Sequence, residues 1–237
     1  MKTVPPAKSG RALVFSPHPD DAELGMGGTI AKLVRAGWQV WIVDFTNGEP
    51  TPFGSAQQRL REAEKAREIL GASRRICLGM PNRYLECTLE RRRQVAEVIR
   101  VFRPDILFGP VADWHPDHRA AVELVEGGRF EAKFTHVDMP GDSCWVGPYF
   151  QYYSVHRYRF EAASIAVDVS DSWLIKAAAV LAYESQERSA KELGGTGLVE
   201  RCEKAASHFG LLAGVKYAEA FICEQLFCVN DAGLLRL

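Results

Sequence analysis

The sequence predicts an α/β fold: a doubly wound, mainly parallel sheet with a variable C-terminal part. Two observations carry this reading. Short β-branched and aromatic runs alternate with longer amphipathic stretches across residues 11–108. The first two amphipathic stretches also stop at glycines, Gly37 and Gly71, where a helix needs a residue that tolerates left-handed backbone. Hydrophobic residues make up 47% of the 237 positions, enough for a sizeable core. With no linker or internal repeat in view, one domain over 1–237 is expected.

Taken in order, Arg11–Ser16 reads as the first strand and Ala22–Ala36 as the helix after it. Gly25, Gly27 and Gly28 cost helix stability, so close approach of a neighbour is expected there. Trp38–Phe45 is the second strand, Thr46–Gly54 a loop, and Ser55–Leu70 a helix capped by Ser55. Ile76–Leu78 is a third strand, Gly79–Tyr84 a loop, Leu89–Phe102 a helix and Asp105–Phe108 a fourth strand. Gly109–Trp114 is a loop before a short helix at His118–Val125. Phe130–Tyr153 has no clean period. Tyr153–Phe160 and Ser164–Val169 then read as strands of a hairpin, followed by helices at Ser172–Tyr183 and Leu198–Leu212.

Composition excludes several roles. A net charge of −1 leaves no electrostatic footprint for nucleic acid or an acidic membrane. No apolar run reaches transmembrane length, and the N-terminus lacks a secretory apolar core. Arg91, Arg92 and Arg93 are expected to form a solvated helix face. The six cysteines include no C-x-x-C pair, which fits reduced thiols and a cytoplasmic location.

The chemistry concentrates in two fragments. Ser16–Gly28 (SPHPDDAELGMGG) follows the first strand, and His115-Pro116-Asp117-His118 follows the fourth. Each places His before Pro, so His18 and His115 are expected to be the last extended residues before a helix that opens with the proline. An Asp in such a first turn is favourable for the helix alone, and this accounts for Asp20 or Asp117 taken singly. Taken together they mean more, because three of the six histidines fall in these fragments beside carboxylates.

Both fragments leave the same edge of a parallel sheet, where open α/β sheets place their sites. His18 and Asp21 can offer two metal ligands from one side and His118 a third from the other. Two imidazoles and a carboxylate suit catalytic zinc, and they also suit non-haem iron(II). Asp20 is then placed to take a proton from a metal-bound water. His115 can stabilise an oxyanion or protonate a leaving amine, with Asp117 holding it or simply capping the helix. The glycines after Glu23 do not follow G-x-G-x-x-G, so no dinucleotide site is expected.

These residues resemble the PIG-L/LmbE family of zinc-dependent N-acetylglucosaminyl deacetylases. HPDDAELGMGGTIAKL at 18–33 and HPDH at 115–118 carry the likeness. It continues through REAEKAREILG at 61–71, GMPNR at 79–83, RPDILFGP at 103–110, AYESQ at 182–186 and GVKYAEAF at 214–221. The bacterial branch with bacillithiol-pathway and diacetylchitobiose deacetylases is the most similar. The resemblance implies a Rossmann-like fold, zinc on His18, Asp21 and His118, Asp20 as general base, and His115 with Asp117 as its partners. It implies substrate contacts from Arg59 and Tyr217, an N-acetylated amino-sugar substrate, and a homo-oligomer, often a hexamer.

The likeness thins over 130–159. The aromatic cluster there, Trp145, Tyr149, Phe150, Tyr152, Tyr153 and Tyr158, is assigned to substrate choice or subunit contacts. Three rivals stand beside deacetylation: an amidase of another amide such as a thiol–sugar conjugate, an iron(II) oxygenase, and a non-catalytic sugar-binding module.

Overall fold

The computed structural model describes residues 9–155 and 163–223. Its centre is a seven-stranded sheet: β1 (Arg11–Ser16), β2 (Gln39–Thr46), β3 (Arg74–Met80), β4 (Ile106–Pro110), β5 (Tyr149–Tyr152), β6 (Ile165–Asp168) and β7 (Ala218–Ile222). The strand order is β3-β2-β1-β4-β5-β7-β6. The first five run parallel, and β7 is antiparallel to both β5 and β6. The chain winds outward from β1 through β2 to β3, then returns to place β4 on the other side of β1. The order reverses between β1 and β4, where such sheets open a crevice at their carboxyl ends.

Among the described residues seven helices cover the sheet: α1 (Asp21–Arg35), α2 (Ala56–Leu70), α3 (Leu89–Phe102), α4 (Pro116–Ala132), α5 (Trp173–Leu181), α6 (Glu184–Gly194) and α7 (Leu198–Ala213). The central strands β1, β2 and β4 are largely buried on both sides because both faces are covered. On one face Ala12, Val14, Val40 and Ile42 pack with Met26 and Ile30 of α1, Ala63 and Ala66 of α2 and Ala179 of α5. On the other, Leu13, Phe15, Val43 and Phe45 pack with Val95 and Ile99 of α3 and Leu124 of α4. The two-residue alternation along β1 thus feeds two separate cores.

Helix ends follow the local chemistry. Ser55 and Thr88 accept the Gln58 and Arg91 backbone N–H groups at the starts of α2 and α3. Pro116 opens α4, as the X-Pro signal predicts, but α1 begins only at Asp21, two residues after Pro19. Between them Asp20 adopts φ 131, a left-handed-side conformation, so the expected helical proline holds in one fragment and fails in the other. Helix α1 is also irregular inside, with Met26 at φ −145. Just past that break, the buried Glu219 of β7 accepts the Gly28 and Thr29 N–H groups, one on each carboxylate oxygen, at 3.0 and 2.7 Å. It therefore caps the second half of α1 from across the sheet. The Lys176 ammonium lies 2.6 Å from the oxygen that takes Gly28.

Several expectations change in the C-terminal half. The short helix at His118–Val125 lies within the first ten residues of the longer α4. The strand expected at Tyr153–Phe160 lies mostly outside the described residues, and its described part, 153–155, is not strand. The strand there is β5, four residues earlier. β6 pairs with β7, a partner more than fifty residues downstream, and the other strand of the expected hairpin lies mostly outside the described residues. Helix α6 and strand β7 were not anticipated. The aromatic cluster fills cores: Tyr149, Phe150, Tyr152 and Tyr153 are buried, whereas Trp145 is exposed and Tyr158 lies outside the described residues.

Candidate metal centre

Loops leaving the carboxyl ends of β1, β2, β3 and β4 surround one cleft of about 290 Å³. It is lined by His18, Asp20 and Asp21 after β1, Gly48, Pro50 and Thr51 after β2, and Asn82 and Arg83 after β3. His115 and His118 come from the loop and helix after β4, Arg59 from α2 and Gln186 from α6.

His18, Asp21 and His118 converge as the spacing predicts. One ligand atom from each lies within 4.8 Å of the other two. His18 Nδ1 is 3.0 Å and His118 Nε2 3.3 Å from Asp21 Oδ2. The outer nitrogen of each ring meets a second carboxylate. His18 Nε2 is 3.1 Å from Asp117 Oδ2, and His118 Nδ1 is 2.7 Å from Asp113 Oδ2. This is the usual setting of metal-binding histidines, whose far N–H is held by a carboxylate so that the near nitrogen presents its lone pair. The donor set fits a divalent cation such as zinc or iron(II).

The electrostatics agree. Burial disfavours charge on His18, but hydrogen bonds to Asp117 and Asp21 outweigh it and lift its pKa to about 9. His118 rises to about 10 against the same burial penalty, drawn up by Asp21 and Asp113. Burial would raise Asp21, yet the two imidazoles hold it well below the usual carboxylate range. A cluster that gathers protons on two buried histidines around one carboxylate is one where a cation can replace them.

Asp20 faces the same cleft in a different environment. Burial pushes its carboxyl up to about 7, with Arg59 pulling the other way. Arg59 Nη2 donates to Asp20 Oδ2 at 3.0 Å and its Nε to the Pro19 carbonyl at 2.9 Å, while Gly48 leaves room for the guanidinium. Arg59 is thus buried at the cleft wall, holding Asp20 rather than standing exposed on a helix.

The second fragment differs in detail from expectation. Asp117 does not present its carboxylate to His115. The Arg83 and Leu85 N–H groups, at 2.6 and 3.2 Å, turn it toward His18, and with that contact they offset burial and lower its pKa to about 2. The link to His115 is through backbone, the Asp117 N–H donating to His115 Nδ1 at 3.2 Å. With Nδ1 accepting, a neutral His115 carries its proton on Nε2. Burial, with His18 and His118 nearby, lowers the His115 pKa and keeps it in that neutral form.

Tyr217 is not on the cleft. It stacks on Trp173 with centroids 4.7 Å apart, and its hydroxyl donates to Glu203 at 2.7 Å, in the apolar cluster under α5 and α7. A tyrosine in a family-like segment carries no sign of which side of the sheet it faces. Sequence reasoning also missed Asp113, Thr51, Asn82, Arg83 and Gln186. Only the GMPNR and AYESQ stretches held a signal for the last three.

Residues 13–127, which contain both fragments, match the PIG-L family, described as GlcNAc-PI de-N-acetylase. A diacetylchitobiose deacetylase of Thermococcus kodakarensis is 32% identical over 88% of this chain and 81% of its own length. Among solved structures, the conserved protein TT1542 of Thermus thermophilus superposes with TM-score 0.84 at 35% identity, covering 92% of this chain and 97% of that one. The N,N'-diacetylchitobiose deacetylase of Pyrococcus horikoshii, solved with its inhibitor MPG, gives 0.79 at 26%, covering 91% and 84%. A 4-carboxy-2-hydroxymuconate hydratase of Pseudomonas putida also gives 0.79, over 94% and 99%, but at 22% identity that likeness shows the fold alone. With a relative above 30% identity matched over most of both chains, the chain belongs to the PIG-L family.

Proposed function

We propose that this chain is a metal-dependent hydrolase that removes the acetyl group from an N-acetylated amino sugar or glycoside. The observation that carries the proposal is the His18–Asp21–His118 cluster beside an independently anchored Asp20. The diacetylchitobiose deacetylase relative supports the substrate class. A divalent cation bound by those three side chains, zinc by preference, supplies Lewis acidity and a water of lowered pKa.

The chain's own residues do the rest. Asp20, fixed by Arg59, takes the proton of the attacking water. His115, neutral with its proton on Nε2, donates a hydrogen bond to the oxyanion forming on the acetamide carbonyl. The departing amine takes its proton from Asp20, which holds the one it received from the attacking water. Thr51, Asn82, Arg83 and Gln186 offer the polar groups that a sugar's hydroxyls require.

The same reading holds the chain to be one domain, cytoplasmic, and a homo-oligomer. A hexamer is expected from the family resemblance, and sedimentation checks it. No helix among the described residues is long and apolar enough to cross a membrane.

The test is an acetate-release screen over N-acetylated sugars, with thiol–sugar amides alongside, on metal-analysed wild type and Asp20→Ala. Acetate from an amino sugar by wild type alone supports the reading. Metal-replete wild type that frees acetate from none of them sinks it, and cleavage of only the thiol conjugate replaces it with the amidase. Oxygen consumption would point to the iron enzyme instead.

A further inference from the structure

Asp113 stands outside both motif fragments, yet its carboxylate ties the second one together. Its Oδ2 lies 2.7 Å from His118 Nδ1, and its Oδ1 accepts the His115 backbone N–H at 2.7 Å. The side chain is 1% exposed, so water does not compete for either bond. The loop that carries it is held from the far side: Arg119 donates to the Asp113 and Trp114 carbonyls at 3.0 and 2.7 Å. One buried carboxylate therefore fixes a ring and a backbone two residues after it, on opposite sides of Pro116.

The consequence is chemical as well as steric. His118 turns Nε2 toward Asp21, so Nε2 must present a lone pair for a cation to bind there. That requires the remaining proton to sit on Nδ1, the nitrogen that Asp113 faces. His18 is arranged the other way round, with Nδ1 inward and Nε2 on Asp117. The cluster thus needs opposite tautomers from its two histidines, and a separate buried carboxylate selects each.

We propose that Asp113 is a positioning residue for the metal centre: it selects the Nδ1–H tautomer of His118 and, through the His115 backbone, sets the distance between His115 and the bound cation. This rests on the metal-centre reading above. It does not depend on which amide is cleaved. Asparagine in its place keeps one acceptor for His118 but sets an NH₂ against the His115 N–H, two donors facing each other. Alanine removes both acceptors.

The experiment measures zinc affinity by competition with a chromophoric chelator for wild type, Asp113→Asn and Asp113→Ala. Long-range ¹H–¹⁵N spectra of the zinc-loaded proteins report which imidazole nitrogen carries the proton, and thermal unfolding of the metal-free proteins reports folding. We expect zinc binding weakened by about 10- to 100-fold in both variants. The His118 Nδ1–H signature should be present in wild type and lost or altered in Asp113→Ala. The proposal is overturned if both folded variants bind zinc within about threefold of wild type with an unchanged imidazole pattern. If alanine unfolds the chain, the asparagine variant decides alone. Wild type that takes up no zinc would sink the metal-centre reading itself, whereas wild-type uptake with unaffected variants removes only the role of Asp113.

Discussion

Asp20 holds a backbone conformation that costs a non-glycine residue about 1–3 kcal/mol, and such strain persists where surrounding contacts impose it. Here the contacts are the Arg59 bonds to Pro19 and Asp20, which turn the carboxylate into the cleft and away from the helix start it would otherwise cap. Asp20→Ala is expected to lower kcat by about 10²–10⁴-fold, the range for a lost general base, with metal content unchanged. Metal analysis and steady-state kinetics on one preparation check both halves. Arg59→Met should act through Asp20, reducing kcat with KM little affected if the guanidinium serves mainly as its anchor. A rise in KM alone would return Arg59 to the substrate.

At this scale the sequence was most legible where residue type and spacing both mattered. His18, Asp21 and His118 could be paired from the two fragments because both follow parallel strands. The partner of Asp117 could not be read, because the Arg83 and Leu85 N–H groups that aim its carboxylate come from a loop after β3.

Among the elements, α1 bears the closest packing. A Cβ added to Gly25 would run into the Tyr152 ring, and one on Gly28 would sit 2.7 Å from Val169 Cβ. The glycines flanking the Met26 break therefore let α1 lie against β5 and the segment after β6, as their cost to a helix foretold. Gly25→Ala is expected to destabilise the protein by about 1–3 kcal/mol through overpacking, read from the urea midpoint. Glu219→Ala should cost more, about 3–5 kcal/mol, because Lys176 would remain buried without its counter-charge and the second half of α1 without its cap. That cap was illegible in the sequence. Nothing in GVKYAEAF states that its glutamate reaches a helix 190 positions away. Strand β6 shows the same limit, since its period is visible while its partner is chosen by the sheet edge left open.

For the molecule as a whole, the central prediction concerns protons. Without a cation, His18 and His118 titrate at about 9 and about 10, both above the ordinary value of about 6.5. Their protonated forms stabilise the metal-free fold fully below about pH 6.5, and that contribution fades as pH rises through the two raised values. Cation binding needs both rings neutral, so uptake near pH 7 should release about two protons. Apparent zinc affinity should therefore climb with pH between about 6 and about 8, by up to about a hundredfold per unit. Calorimetry in buffers of different ionisation enthalpy counts the protons, and a pH-independent affinity would contradict the assignment. The fold class was legible at this scale because strands and helices alternate over 11–108. The antiparallel β7 was not, since its five residues carry no period to set direction.

The Glu219 cap also orders events in time. Every metal-site side chain and the anchored Asp20 lie at or before His118 and so leave the ribosome ahead of the C-terminal half. The helix that carries Asp21 is completed only when β7 inserts between β5 and β6, a closure spanning 191 positions. Loop closure over that distance is late and slow compared with forming β1, α1 and β2. A nascent chain would therefore hold all of its metal ligands well before it holds them rigidly, and tight metal capture should coincide with completion of the C-terminal half.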